Sequence, residues 1–241
     1  MRKVAWLVVI LMNACLLGSR VWGADIVTLV THESKPYAWV DESGHINGMT
    51  VDIANLIFQR ANIKKNWKLM PSKRAYRYAK TNINTCIFPL QRNQEREADF
   101  QWVGPIMINR YAFYTLENST IELNTLADLK SFKVVTYLGS GLKEYLSGFG
   151  IRVIETLQDD MAATMVSLGR ANVWAADVYN VPYMLEAQEH KFDEEFIFFT
   201  SISAMACHLS MPESLIADLQ EELTGLYRTL EIAKIVRRYE R

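Results

Sequence analysis

The stretch "IVTLVTHESKPYAWVDESGHINGMTVDIANLIFQRAN", residues 26–62, joins a strand pattern to a helix pattern. Its first seven residues, "IVTLVTH", are mostly β-branched, which is typical of a strand. After Gly48 the apolar residues recur at helical spacing and predict one buried helix face, formed by Ile53, Ala54, Ile57, Phe58 and Ala61. A strand followed by an amphipathic helix indicates an α/β protein.

The same alternation continues along the chain. Further strands are predicted at "NWKLMP", "TCIFPL", "KVVTYL", "IRVI" and "NVWAA". Helices are predicted at "SKRAYRYAK", in the turn and helix "GSGLKEYL", at "DDMAATMVSLGR", and over the C-terminal residues 212–240 with a break near Gly225. No internal repeat or long linker interrupts the series, so the sequence predicts two α/β lobes of similar size.

The N-terminus has the pattern of a secretory signal peptide. Arg2 and Lys3 precede an apolar run at residues 4–17, and the small residues Gly23 and Ala24 form a cleavage point. We therefore interpret residues 1–23 as a signal peptide and expect a periplasmic protein. The apolar run is shorter than the roughly 20 residues that span a bilayer. Lipid attachment at Cys15 is an alternative, although the preceding residues fit a lipobox poorly.

Composition limits the class of partner. Removal of residues 1–23 takes away three basic residues, so 26 basic and 27 acidic residues become 23 and 27, a formal charge of −4. This mildly acidic balance argues against nucleic acid, which calls for clustered Lys and Arg. Two cysteines remain, Cys86 and Cys207, and an even pair in an exported chain suggests a disulfide, with two buried thiols as the alternative.

Four stretches in order carry a family resemblance: "PYAWVDESGHINGMTVDIANLI", "RNQERE", "VVTYLGSG" and "GRANVWAAD". They resemble the bacterial extracellular solute-binding protein family 3, the periplasmic binders best known from polar amino-acid ABC importers. The resemblance covers nearly the whole mature chain. It implies an α/β, two-lobed periplasmic-binding-protein fold of type II, in which two crossover strands join the lobes and a ligand binds in the cleft between them.

The resemblance also implies limits for the lobes. The crossovers should fall near residues 107–109 and 200–203, so lobe 1 would be residues 24–107 plus 200–241 and lobe 2 residues 108–199. A single larger α/β domain is the alternative. In this family the strand after the return crossover lies beside the third strand of lobe 1, which implies that Cys86 and Cys207 are neighbours and form a disulfide.

The charged stretch "RNQEREADF" supplies the first site residues. Arg96 matches the family arginine for a ligand carboxylate, and the guanidinium suits that task because its planar fork makes two parallel hydrogen bonds. We expect Arg96 in the first turn of a helix at "NQEREADF". An ordinary surface ion pair is the alternative. Arg92 would either share the anion or face solvent, and Asn93 would either contact ligand or cap the helix.

Asp177, at the end of "NVWAAD", matches the family acid for an α-ammonium group. A carboxylate at the carboxyl edge of a strand in an open α/β sheet points into the ligand crevice. Its alternative role is the N-cap of a helix at "VYNVPYMLE". In the second-lobe turn "GSG", Gly139 and Ser140 are candidate ligand contacts, whereas Gly141 lacks the hydroxyl that the family has there.

Further candidates for ligand contact are Ser34, Tyr37 and Arg74. Tyr37 and Trp39 would form an aromatic wall or pack in the core. In "FPLQ", Phe88 and Pro89 replace small polar residues of the family and predict a more apolar cleft.

The sequence thus predicts a binder and not an enzyme. It has no Gly-x-Ser-x-Gly elbow, His-Glu-x-x-His helix or Cys/His ligand spacing, and we expect no cofactor or metal. The expected ligand is an amino acid or a related carboxylate. The expected partner of this monomeric protein is an ABC permease, with a membrane receptor as the alternative. A dehydratase-like enzyme on the same fold is a third, weaker alternative.

Overall fold

The computed structural model describes residues 26–138, 140–157, 159–186 and 190–240, without the side chain of residue 159. The predicted signal peptide therefore lies outside the described residues. Ten strands are described: β1 Val27–Thr31, β2 Trp39–Val40, β3 Ile46–Asn47, β4 Lys65–Leu69, β5 Thr85–Arg92, β6 Gln101–Leu116, β7 Val134–Tyr137, β8 Val153–Thr156, β9 Val173–Asp177 and β10 Phe192–Cys207.

Eight of these strands form one sheet in the order β4-β1-β5-β10-β6-β9-β7-β8, and β2 and β3 form a small hairpin. At one end β1 pairs in parallel with β4 and β5, and at the other end β7 pairs in parallel with β8 and β9. The alternation of strands and helices predicted two α/β lobes, and the two parallel groups agree with it. Because parallel strands need helical crossovers, each group carries its own helices.

Two long antiparallel strands, β6 and β10, join the two ends of the sheet. Beyond their mutual pairing, the C-terminal part of β10 pairs with β5 and the C-terminal part of β6 pairs with β9. Ser203 lies opposite Met107 and Thr200 opposite Arg110, so the two strands run side by side where the crossovers were predicted. This is the two-lobed α/β architecture that the sequence predicts; the lobe limits given above remain a prediction.

Seven α-helices are described: α1 Met49–Arg60, α2 Ser72–Thr81, α3 Leu142–Ser147, α4 Asp159–Ser167, α5 Val181–Leu185, α6 Glu213–Arg228 and α7 Glu231–Arg237. Short 3-10 turns occupy Glu97–Asp99 and Asp128–Ser131. The helix predicted at "NQEREADF" is thus wrong, because only three of its residues are helical. The C-terminal break is also misplaced: α6 continues through Gly225, and the chain turns at Leu230, whose φ is 58°.

Four hydrophobic clusters fill the two halves. The largest packs α1 and α6 onto the β1–β5 side of the sheet, with Ile53, Ile57, Phe58 and Leu223 fully buried. A smaller cluster lies on the other face of the same strands. Two clusters flank β6, β7 and β9 in the other half, around Trp174 and Phe113. The apolar helix face read from residues 53–61 therefore faces the core.

The predicted disulfide is present. Cys86 of β5 and Cys207 of β10 are directly opposite in the antiparallel register, and both are fully buried. The bond closes a stretch of 121 residues that includes the whole second half of the sheet. Within the described ranges, none of the helices has the length and apolar sequence needed to cross a bilayer.

Candidate functional site

A cleft opens between the two halves of the sheet, where β1, β5 and β9 end and β6 and β10 cross. It has a volume of about 110 Å³, enough for several waters or one small organic molecule. Of the predicted site residues, five line it: Ser34, Tyr37, Arg96, Ser140 and Asp177. They come from both halves, so the cleft lies where the fold predicts a ligand.

Tyr37 is held in place by the start of α1. The carbonyl oxygen of Tyr37 accepts hydrogen bonds from the Thr50 hydroxyl at 2.8 Å and from the Thr50 N–H at 3.1 Å. Gly48 makes this approach possible, since its φ is 137° and a Cβ there would lie 2.2 Å from the same oxygen. Ser34 begins the tight turn that carries Tyr37, because its N–H and C=O both bond to Ala38.

Asp177 lies at the end of β9 and is 8% exposed. Its Oδ1 accepts the Tyr37 hydroxyl at 2.9 Å and the Tyr179 N–H at 2.8 Å, and its Oδ2 accepts the Asn109 amide at 2.7 Å. The same Asn109 amide group donates to the Tyr37 hydroxyl oxygen, and Ser203 donates to the Asn109 carbonyl oxygen. The N-cap of α5 is Asn180, so Asp177 is not the helix cap.

This environment shifts the acid–base equilibria of the network. Burial raises the pKa of Asp177 above its usual 3.8, and the hydrogen bonds from Asn109, Tyr179 and Tyr37 oppose that shift because they stabilise the carboxylate. The pKa of Tyr37 rises well above 10, first through burial and then through the neighbouring Asp177 charge. The hydroxyl therefore remains a proton donor to the carboxylate.

Arg96 faces Asp177 from the other half of the sheet. It lies in the turn before the Glu97–Asp99 3-10 segment, where its Nη1 donates to the Gln91 carbonyl oxygen at 3.1 Å and its guanidinium lies 5.5 Å from the centre of the Tyr76 ring. Among the described residues no carboxylate forms an ion pair with Arg96. Its charge is thus not neutralised by a described carboxylate.

The other cations of this region lie outside the cleft lining. Arg92 ends β5 and makes a two-pronged ion pair with Glu97, at 2.9 Å from Nε and 2.5 Å from Nη2, and its guanidinium lies over Trp102. Arg74 is exposed on α2. Asn93 caps the turn, because its Oδ1 accepts the Arg96 N–H at 3.0 Å. None of these three predicted residues therefore lines the cleft.

The second-lobe turn contributes Ser140, whose hydroxyl donates to the Tyr137 carbonyl oxygen and accepts from the Leu142 N–H. Gly141 has a φ of 77°, and a Cβ there would lie 3.1 Å from Oε1 of Gln91. The side chain of Gln91, from β5, therefore approaches the turn at this position. Gly139 lies outside the described residues.

Several residues of the lining were not predicted. They include His32 and Asn180 as well as Gln91, Asn109 and Ser203. Asn180 donates to the Ser34 hydroxyl at 2.7 Å and so links the two halves. Of the predicted apolar contributors, Pro89 lines the cleft, whereas Phe88 is fully buried in the core and Trp39 packs on Tyr239.

Burial lowers the pKa of His32 from 6.5 to about 4, so the ring is neutral at physiological pH. The ring stacks against Tyr137 of the opposite half, with centroids 6.4 Å apart and an angle of 10° between the planes. No group of three His, Cys, Asp or Glu side chains in the described part of the chain could hold a metal ion.

Solved structures share this fold. A histidine kinase sensor domain with similarity to periplasmic binding proteins matches with a TM-score of 0.81 and 16% identity over 89% of this chain and 95% of that chain. A mutant of ArgBP from T. maritima matches with a TM-score of 0.77 and 17% identity over 89% of this chain and 94% of that chain. An ancestral amino acid-binding protein, a precursor of cyclohexadienyl dehydratase, matches with a TM-score of 0.77 and 15% identity over 90% of this chain and 95% of that chain.

None of the curated proteins matches the chain significantly. Residues 26–241 match the family described as bacterial extracellular solute-binding proteins, family 3. That range covers every strand and helix described above, including the elements that carry Arg96 and Asp177. The chain therefore belongs to the bacterial extracellular solute-binding proteins, family 3, and folds as a type II periplasmic binding protein.

Proposed function

We propose that this protein is a periplasmic solute-binding protein that captures an amino acid or a close relative between its two lobes and delivers it for ABC-type import. In this proposal residues 24–107 plus 200–241 form one lobe and residues 108–199 the other. Export would remove residues 1–23. The family membership supports the capture of a small solute, and the charges of the cleft support a zwitterion.

The observation that carries the proposal is that Arg96 and Asp177 both line the same cleft. The guanidinium has no carboxylate partner among the described residues, and it comes from the half of the sheet opposite to Asp177. An α-carboxylate on Arg96 and an α-ammonium on Asp177 would connect the two lobes through one ligand. Such a bridge favours the closed form because both charges are then paired in a water-poor site.

Ligand sensing is a second candidate, because the fold is shared with a histidine kinase sensor domain. A sensor would use the same cleft and present its closed surface to a membrane receptor instead of a permease. Catalysis is a weaker alternative, and a binder differs from a dehydratase-like enzyme in that it returns its ligand unchanged.

The test begins with native mass spectrometry of protein purified without denaturation, which identifies the bound ligand. Calorimetric titration then compares wild type with Arg96→Lys, which keeps the charge but loses the fork, and with Asp177→Asn. Asp177→Asn should cost about 2 to 5 kcal/mol of binding free energy, since it leaves the ligand ammonium unpaired. That range is about thirtyfold to several thousandfold in Kd. Arg96→Lys should also weaken binding substantially, because the two parallel hydrogen bonds of the guanidinium to the carboxylate are lost.

Arg92→Lys is the matched control, because it makes the same chemical change in an arginine outside the cleft. Its pair with Glu97 is exposed, and exposed ion pairs contribute little, so ligand binding should remain within about threefold of wild type. A loss in Arg96→Lys alone would identify a carboxylate without an amine. Near-native binding by both cleft variants would refute the placement of the site.

A further inference from the structure

The cleft lining carries few full charges. Of its twenty residues, Arg96 and Asp177 are the pair with opposite charge, and no other Lys, Arg, Asp or Glu occurs among them. His32 is neutral at pH 7.5, because even an ordinary histidine has lost most of its proton there. A zwitterionic ligand would use both charges for its own carboxylate and ammonium groups. The rest of the ligand then meets an uncharged surface.

Several polar groups of that surface are already hydrogen-bonded within the protein. The amide of Asn180 donates to Ser34, and the hydroxyls of Thr136 and Ser140 donate to the carbonyl oxygens of Ala175 and Tyr137. These groups have little capacity left to replace the hydration shell of an ion. A charged side chain in this cleft would lose its water without gaining a counter-ion.

His32 differs from these three groups. Its Nδ1 is buried and has no hydrogen-bond partner among the described residues, and the ring stacks on Tyr137 of the other half. An unpartnered buried nitrogen is costly, and a neutral polar group of a ligand satisfies it without adding charge. A carboxylate or a cationic side chain in place of His32 would therefore change the charge of the cleft.

We propose that the cleft selects amino acids whose side chain carries no charge, and that His32 is a residue that determines this selectivity. This inference rests on the proposed function, since it assumes that Arg96 and Asp177 bind the α-carboxylate and the α-ammonium. Lysine, arginine, aspartate and glutamate are each expected to bind at least about a hundredfold more weakly than the best neutral amino acid.

The experiment is a calorimetric panel on the mature protein, freed of bound ligand by unfolding and refolding, at pH 7.5. The panel contains the twenty proteinogenic amino acids and citrulline, so that glutamine with glutamate, asparagine with aspartate and citrulline with arginine form neutral and charged pairs of similar size. Tight binding confined to neutral members supports the inference. A charged amino acid within a hundredfold of the best ligand overturns it while leaving the proposed function intact. If no member of the panel binds, the inference fails, and the ligand identified by native mass spectrometry decides the proposed function.

Two variants test the role of His32. His32→Glu adds an anion to the lining and is expected to raise the affinity for lysine or arginine at least about tenfold above that of His32→Gln. His32→Gln keeps a neutral polar group and should retain the preference for uncharged side chains. Equal affinity of the two variants for lysine and for arginine would refute the role of His32, and the wild-type panel tests the charge rule even if His32→Glu does not fold.

Discussion

Two buried hydrogen bonds cross the cleft and should favour its closed form. Tyr37 donates to Asp177 at 2.9 Å, and Asn180 donates to Ser34 at 2.7 Å. Ser34 and Tyr37 follow β1, whereas Asp177 ends β9 and Asn180 follows it in the other half of the sheet. All four residues are less than 9% exposed. Opening the cleft would break both bonds.

The perturbation that tests this is Tyr37→Phe. It removes the donor to one carboxylate oxygen of Asp177, which then keeps only the Tyr179 N–H on that atom. A hydrogen bond to a charged group contributes about 1.5 to 3 kcal/mol. The ratio of closed to open protein without ligand should therefore fall about tenfold to a hundredfold.

Single-molecule energy transfer measures that ratio directly. Dyes at positions 73 and 144 report on the two sides of the cleft, because both residues are exposed and adjoin the lining residues Ser72 and Leu142. Tyr76→Phe is the control, since its hydroxyl donates to Asp99 at 2.6 Å within one half of the sheet. A ratio within threefold of wild type for Tyr37→Phe, or a wild type that is already open, would refute the reasoning.

Stability should depend on the disulfide and on pH. Because the Cys86–Cys207 bond closes a 121-residue stretch, its loss in a Cys86→Ser, Cys207→Ser double variant should lower the free energy of unfolding by about 5 kcal/mol; urea denaturation showing a loss under about 1 kcal/mol would contradict this. Burial lowers the pKa of His32 from 6.5 to about 4, so as pH falls through that window the unfolded state takes up the proton first and stability is lost. The contribution of His32 to this loss is at most about 3 kcal/mol, because the residue is partly exposed. Urea unfolding at pH 7.5 and 4.5 should show that the free energy of unfolding depends less on pH in His32→Gln than in wild type. An equal pH dependence in the two proteins would contradict the prediction.

The sequence predicted the elements whose pattern is set by burial. The helix read from residues 49–62 forms as Met49–Arg60, because its apolar face packs into the largest core cluster. Sequence pattern gave a wrong prediction where tertiary contacts determine the conformation of the backbone. In "NQEREADF", Asp99 accepts the Tyr76 hydroxyl and pairs with Lys80, so the segment is tied to α2 instead of continuing as a helix. Local charge pattern carries no information about those partners.

Gly225 shows the opposite error. A glycine in a helix interior costs about 1 kcal/mol relative to alanine, which made it the predicted break. The flanking Leu223 and Leu226 are fully buried, and their packing outweighs that cost. The helix ends instead near Leu230, in the left-handed region that disfavours a residue with a Cβ. Nothing in the leucine side chain marks such a position in a sequence.

The two charged residues of the site could be predicted from the sequence only through the family resemblance. Arg96 and Asp177 were identified because each matches a motif position, and the structure brings both into one lining. Asn109 and Ser203 were missed because their proximity depends on the register of β6 against β10, which is a long-range pairing. His32 ends a strand in the sequence, and only the fold brings it against Tyr137 of the other half.

The hydrogen bonds that cross the cleft leave most of the Arg96 donors for a ligand. An ionised carboxylate offers about four acceptor positions, and Asp177 uses them for the Tyr37 hydroxyl, the Asn109 amide and the N–H groups of Tyr179 and Asn180. Of the five guanidinium N–H donors of Arg96, one is used on the Gln91 carbonyl oxygen, and no other described residue accepts from the group. An ammonium beside Asp177 would take the place of one donor and would offset the burial that raises the carboxyl pKa. A zwitterion would thus add hydrogen bonds at Arg96 and exchange one at Asp177 for an ion pair, so a single ligand would bind both halves of the sheet.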